Sequence, residues 1–592
     1  MGKTKTGLRC VALASAGALA LAACGGGSGG SGSPSAGGSG GAGAEGTRGG
    51  TLTFLSNLEQ IAHLDPQRNY TGEDLAFASA YLTRTLTAYA KSRDGVAAGK
   101  VVPDLATDTG KPTDGGKTWA FTLKDGSKFE DGSPITCADV KYGVSRTFAQ
   151  TVITDGPTYA ISLLDIPKDA QGNSTYKGPY ETAKNDTASF DKALECSSDN
   201  KTVTFHLAKP AGDFNYTTTL TAFSPVPKAK DKGEKYDDKP VSSGPYKITE
   251  YTKGQQLVLD RNTNWSAAND TYRHDFPDKI IYKFSLENSV IDQRMQADAG
   301  PDQSAISVDS LTTASLTTVF NDPRFKDRRV NEFDPYVRYI AINVKKVPNL
   351  KHRQAILAAA DRAQLLTIAG GSYAGDLADG VIKPNLAADY APSGLWDSLL
   401  GAKVPDTGNP DLAKKLIAES GAPMPALTYD YGKSPDADKS AAALQSSLGK
   451  AGIKVTLNGI EPGKYYATVL AGADKENELA AAGWGPDWSN ASTVIPELFT
   501  SAGGFDLTHA ADKDFTAKAV AAKAETDRAK QGTAWKELNK TAMQNAWVLP
   551  TRFGREQRLA GSKVGSASGE NGHVYIWAPY GSWGYSDLYV KK

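Results

Sequence analysis

The break near residue 45 limits what this chain can fold into more than any other feature. Before it, Lys3, Lys5 and Arg9 precede an apolar run, Val11–Ala22, which closes on Leu21-Ala22-Ala23-Cys24. A charged start, a short apolar core and small residues at the cut make an export signal. Its core of about a dozen residues falls short of the roughly 20 that cross a bilayer. Residues 25–44 then hold eleven Gly, five Ser, three Ala and one Pro, with no charge. Such a tract buries too little surface to fold and behaves as a flexible coil. At ~5–6 Å × √n its r.m.s. reach is about 25 Å. The folded body is therefore expected to follow this tract, outside the cytoplasm.

The cysteine directly after the small pair resembles the lipobox of bacterial lipoproteins. That resemblance implies a signal peptide over 1–23, cleavage before Cys24, and lipid (palmitate included) on the Cys24 thiol and new amino group. Residues 24–48 would be the tether to the membrane. Two G-x-S-x-G matches, Gly26–Gly30 and Gly37–Gly41, fall in this tract. They lack the strand before and helix after that a nucleophile elbow needs.

Lys+Arg and Asp+Glu each number 66, and loss of Lys3, Lys5 and Arg9 leaves a slight acidic excess. No polyanion-binding surface is indicated, so nucleic acid is not an expected partner. A hydrophobic content of 40% with 9 Trp, 25 Tyr and 18 Phe supports a large core, and the length suggests two or three lobes. Cys10 leaves with the signal and Cys24 carries lipid, so Cys137 and Cys196 remain. In an exported chain two thiols are expected to pair; the alternative is two separately buried thiols. Closing a loop of about 60 residues stabilises by roughly 4 kcal/mol in the chain-entropy account.

The pattern of the body is mixed. Thr51–Leu55 alternates as a strand, Leu64-Asp65-Pro66 breaks the chain, and a helix is expected around Leu75–Ala90. Trp119, Phe121 and Leu123 alternate, as do Val203, Phe205 and Leu207, which reads as two half-buried strands. Asp131-Gly132 signals a turn, and Thr136 with Asp139 three residues on signals a helix start. Residues 150–195 read as polar surface loops. Gly254 turns between two strands, Tyr246–Ile248 and Leu257–Leu259. Ile356, Ala359, Ala360, Ala363 and Leu366 fit one helix face. Asn409-Pro410 caps a helix that Gly421 closes. Ala441, Leu444 and Leu448 mark another, stopped by Gly452 before the strand Ile453, Val455, Leu457. Trp535, Leu538 and Ala542 mark a last helix. Helix-Gly-strand alternation argues an α/β lobe.

Taken in order, these segments resemble the extracytoplasmic solute-binding proteins of peptide-type ABC importers, the dipeptide/oligopeptide/nickel family. The stretch Trp119–Val140 follows the family signature, and Ser224-Pro-Val-Pro-Lys228, Ser243-Gly-Pro-Tyr246, Tyr339-Ile-Ala-Ile-Asn343 with Asp361-Arg362, Gly483-Trp484-Gly-Pro-Asp487-Trp488 and Leu549-Pro550 follow in the family's order. The resemblance covers about residue 50 to the C-terminus. It implies a two-lobed, hinged α/β periplasmic-binding-protein fold of type II, with an extra subdomain on the first lobe. The first lobe would be 49–335 plus 549–592, the subdomain about 82–222, and the second lobe 336–548. Crossings near Asp334–Tyr336 and Val548–Pro550 would let the lobes rotate while few dihedrals change.

The resemblance also implies a site. An aspartate in the Gly-Trp-x-x-Asp segment of peptide-binding relatives holds the ligand's α-amino group, and Asp487 stands there. A carboxylate repays a desolvated ammonium with charge-assisted hydrogen bonds. Trp484 and Trp488 would wall the cleft, and the backbone through Gly485 would pair with the ligand's peptide groups. Without the resemblance, the segment also fits two core tryptophans and a turn-capping aspartate. Asn69 and Tyr70 lie where the first lobe reaches the cleft in relatives. Ser489-Asn490-Ala491 departs from the usual acidic-Pro pair, and Ala480–Ala482 replaces an arginine that some relatives use for the ligand carboxylate, which stays unassigned.

An enzyme is not expected. Ser447-x-x-Lys450, Ser198-Asp199-Asn200 and Lys5-Thr6-Gly7 match penicillin-interacting motifs in the wrong order. No H-E-x-x-H occurs, and the six histidines stand apart, so no metal or cofactor is expected. The expectation is a lipid-anchored monomer on the outer face of a bacterial cell membrane, passing short peptides to an ABC permease and its ATPase. The alternative keeps the scaffold but binds an oligosaccharide, opine or nickel chelate.

Overall fold

The computed structural model describes residues 46–183, 185–461 and 464–592, all within the compact unit Ala42–Lys592. The signal, Cys24 and most of the tether lie outside the described residues.

Two mixed sheets organise the body. The first runs in the order 305–307, 51–55, 279–283, 256–261, 246–252. Thr51–Leu55 pairs parallel to Lys279–Lys283 and to Ala305–Ser307, burying Leu52 and Phe54 as the alternation predicts. The hairpin of the 246–252 and 256–261 strands turns at Gly254, where φ is +78°, a value L side chains avoid. The second sheet runs 375–377, 548–559, 329–342, 479–484, 427–432, 455–460. Its parallel pair, Leu427–Gly432 and Val455–Ile460, is joined by helix Pro435–Gly449 as a crossover unit.

Each sheet owns a core. Leu52, Phe77, Tyr282 and Trp583 belong to one buried cluster, and Val337, Ile356, Leu479 and Trp535 to another. The antiparallel strands Arg329–Ile342 and Val548–Leu559 run from one to the other. Val330 packs in the first core and Val337 in the second. On the return path Phe553 packs in the second core and Ala560, just past the strand, in the first. Their pairing is irregular between Phe333 and Val337, so the ladder is interrupted where the chain changes core.

A four-stranded sheet, ordered 111–113, 118–122, 202–206, 194–196, packs on the first core. Trp119 pairs with Phe205 and Phe121 with Val203 across it, which places both apolar alternations on one face. Helix Cys137–Arg146 begins with a complete capping box of Thr136 and Asp139. A disulfide joins Cys137 at its start to Cys196 on the edge strand.

Four local expectations change. The helix expected over 75–90 is Gly72–Tyr81, followed by a strand, Thr87–Tyr89. Arg84 lies buried between them, donating to Asp104 at 2.9 Å. Residues 150–195 are not merely surface loops. They include helices Tyr159–Leu163 and Thr187–Ala193 and bury Ile166, Tyr176 and Phe190 singly, without the periodicity that marks a helix or strand. The face from Ile356 to Leu366 is split between helices Leu350–Ala359 and Arg362–Ile368, because the Asp361 side chain caps the second. The strand after Gly452 starts at Val455, not Ile453.

Candidate functional site

The sequence candidates converge at one end of the strand Leu479–Trp484. Beyond it, Asp487 is fixed by its own amide, which donates to Thr493 Oγ1 at 3.1 Å. Its carboxylate faces the first core. Tyr70 Oη donates to one oxygen at 2.8 Å, and Tyr159 Oη donates to the other. Tyr70, 41% exposed, follows the 64–66 break, and Tyr159 opens the helix Tyr159–Leu163. The two phenol oxygens are 3.3 Å apart.

Among the described residues no cationic nitrogen pairs with Asp487; Glu497 adds a negative charge nearby, and Lys523 a weaker positive influence. Burial pushes the Asp487 carboxyl above the usual carboxylate range, against the two phenol hydrogen bonds that favour its charge. Burial and the Asp487 charge push both phenols up in turn. A half-buried carboxylate held only by neutral donors is a site that a cation would stabilise. Beside it is a cavity of about 90 Å³, bounded by Tyr70, Tyr336, Gly485, Asp487 and Tyr580. Ligand pockets are commonly ~300–1,000 Å³, so this cavity as it stands is smaller than such a ligand fills.

The remaining candidates have other surroundings. Trp484 is half-buried, donates from Nε1 to Thr493 O at 2.7 Å, and packs on Phe505. Trp488 is 3% exposed and sits in the first core. It donates to Asp213 at 2.7 Å and meets the Tyr159 ring edge-on at 4.9 Å. Trp488 thus links the two cores in this arrangement. At Gly485 a Cβ would lie 2.9 Å from the Tyr336 ring, so that close approach requires glycine. Asn69, 1% exposed, spends its amide on His63 O and Asp74 O at 3.2 Å each, which holds the loop presenting Tyr70. The sequence does not point to Tyr159, which stands in a segment without periodic signal, and it marks Tyr336 only as a crossing between lobes. No group of three or more potential metal ligands occurs among the described residues, and no helix there is long and apolar enough to cross a membrane.

With this geometry in hand, comparison places the chain among known proteins. Residues 100–506 match the family described as bacterial extracellular solute-binding proteins, family 5 Middle. The probable D,D-dipeptide-binding periplasmic protein DdpA of Escherichia coli (strain K12) is 26% identical over 413 residues, covering 67% of this chain and 68% of that one. The dipeptide-binding protein DppE of Bacillus subtilis (strain 168) is 22% identical over 465 residues, covering 76% and 78%. Among solved structures, the clavulanic acid biosynthesis oligopeptide binding protein 2 superposes with a TM-score of 0.81 at 28% identity, covering 92% of this chain and 96% of that one. The architecture is the two-lobed, hinged α/β fold of type II periplasmic binding proteins, with an extra subdomain on the first lobe. It serves solute binding, not catalysis. The chain belongs to the bacterial extracellular solute-binding proteins, family 5.

Proposed function

We propose that this protein captures short peptides by their free α-amino group at Asp487 and delivers them to an ABC permease driven by its ATPase. The observation that carries the reading is the half-buried Asp487 carboxylate, held by Tyr70 and Tyr159 with no cation paired to it among the described residues. An α-ammonium brings three donors and a full charge, and replaces two neutral phenols. Relatives named as dipeptide and oligopeptide binders support the peptide over other solutes.

In this reading the lobes, 49–335 with 549–592 and 336–548, rotate about the paired strands 329–342 and 548–559. The subdomain, about 82–222, rides on the first lobe. Ligand favours the closed state and shifts the population toward it. Trp484, Gly485 and Tyr336 border the ligand near its amine, while Trp488 and Asn69 support the site from behind. The protein acts as a monomer, exported by its signal peptide and held at the outer face of the membrane by lipid on Cys24. Mass spectrometry of ligand released from the native protein tests the peptide reading. Peptides with free N-termini are expected; an oligosaccharide, opine or nickel chelate would overturn it.

A further inference from the structure

The strands 329–342 and 548–559 lose their pairing at the place where the chain changes core. Phe333 pairs with Arg555 and Val337 with Phe553, so Asp334, Pro335 and Tyr336 face the single residue Gly554. A gap of this kind strips backbone carbonyls of their ladder donors, and buried carbonyls need replacements. One side chain supplies them. Lys383 Nζ donates to Asp334 O at 2.6 Å, to Tyr336 O at 3.0 Å and to Gly554 O at 2.8 Å. It also donates to Asp334 Oδ1 at 2.9 Å and stands 4.9 Å from the centre of the Phe333 ring. Asp334 Oδ1 in turn accepts from Tyr336 N at 2.6 Å. A single amino group therefore bonds both crossings at once.

Lys383 belongs to neither strand. It follows Val381 and Ile382, which pack in the second core, and Pro384 keeps its backbone extended at φ −80°, ψ 154°. Only 2% of it is exposed. An ammonium brings three N–H donors to these four acceptors, whereas the neutral amine brings two and turns a lone pair toward oxygen. The charged groups around it are Asp334 and Arg338 on the first crossing strand and Arg552 and Arg555 on the second. Arg555 pairs with Asp376 at 2.7 Å. Burial pushes Lys383 down to about 8; Asp334 works against this, and Arg338 and Arg555 add to it. Lobe rotation is absorbed by a few dihedrals at the crossings, so a group bonded to both ties their changes together.

We infer that Lys383 is the positioning residue of the hinge: its ammonium stands in for the missing ladder and holds both crossings in the arrangement that brings Tyr70 onto Asp487. The neutral amine holds them less well, so the hinge loosens as the proton leaves. Tyr336, which Lys383 fixes, also borders the cavity beside Asp487. The hinge acts before any ligand arrives, so this role is independent of the peptide reading.

X-ray scattering of the ligand-free full chain between pH 7 and pH 9.5 tests the role. Two variants accompany wild type: Lys383→Gln, which keeps two donors without the charge, and Lys383→Met, which keeps neither. Wild type should be compact at pH 7 and expand as pH rises through about 8. Both variants should show the expanded radius of gyration already at pH 7 and no change with pH. A wild-type radius constant with pH overturns the role, as do variants as compact as wild type at pH 7. An equal transition in the variants belongs to another buried amine, such as Lys91, and overturns it too. Circular dichroism accompanies each point; expansion with loss of secondary structure is unfolding and counts against the hinge. If one variant fails to fold, the other decides; if neither folds, Lys383 is a structural residue and the hinge role falls.

Discussion

Replacing Asp487 with asparagine keeps the shape of the site and removes its charge. The carboxylate lies within 2.8 Å of the Tyr70 hydroxyl, so an ammonium taking that place sits about 3 Å away. At an effective dielectric of ~20 the attraction over ~3 Å is roughly 5.5 kcal/mol. Against it stand the two phenol hydrogen bonds given up, roughly 1–1.5 kcal/mol each in net terms. About 3 kcal/mol remains, a factor of ~150 in Kd at 1.4 kcal/mol per decade. Isothermal titration of a free-amine dipeptide should show that loss in Asp487→Asn, and N-acetylation of the peptide should reproduce it on wild type. The two losses should not add, because each removes the same interaction. A variant that binds the free-amine peptide within threefold of wild type refutes the reasoning.

Three further outcomes follow from the same structure. The Asp487 carboxyl is raised from 3.8 in the folded state, so the native form binds more protons than the unfolded form between that value and the folded one. Ionisation therefore destabilises the ligand-free fold as pH rises through this window, and in urea denaturation Asp487→Asn should gain stability over wild type from pH 4 to pH 7; a constant difference would contradict the assignment. Reducing the Cys137–Cys196 disulfide frees a separation of 59 residues and should lower unfolding free energy by at most ~4 kcal/mol, read from denaturation with and without reductant; no change would show that the bond does not constrain the unfolded chain. At Gly212 a Cβ would lie 2.0 Å from Glu525 O, across the proposed lobes, so Gly212→Ala should prevent full closure, and X-ray scattering of the peptide-saturated variant should give a larger radius of gyration than wild type. Equal radii would contradict it.

Local order was legible where chemistry and spacing coincide in one segment. The Thr136–Asp139 box, the Trp119 and Val203 alternations, the Asn409-Pro410 start and the Gly452 stop all appear as read. Part of the candidate site was legible too, in that Tyr70 and Asp487, both singled out in the sequence, meet through a hydrogen bond. Tyr159 was not, because it opens a short helix inside a stretch whose buried residues occur one at a time. The two tryptophans look alike in sequence, yet Trp484 packs on Phe505 and Trp488 enters the other core. Only the turn at Asp487 separates them. Lys383 looks like an ordinary lysine before a proline. Its reach to both crossing strands exists only once the register of those distant strands is set.

A crystal structure with a bound free-amine peptide tests the central claim most directly. The account predicts the α-amino nitrogen within about 2.7–2.9 Å of an Asp487 oxygen, with the hydroxyls of Tyr70 and Tyr159 moved off the carboxylate. A peptide seated elsewhere, with both tyrosines still donating to Asp487, would contradict it.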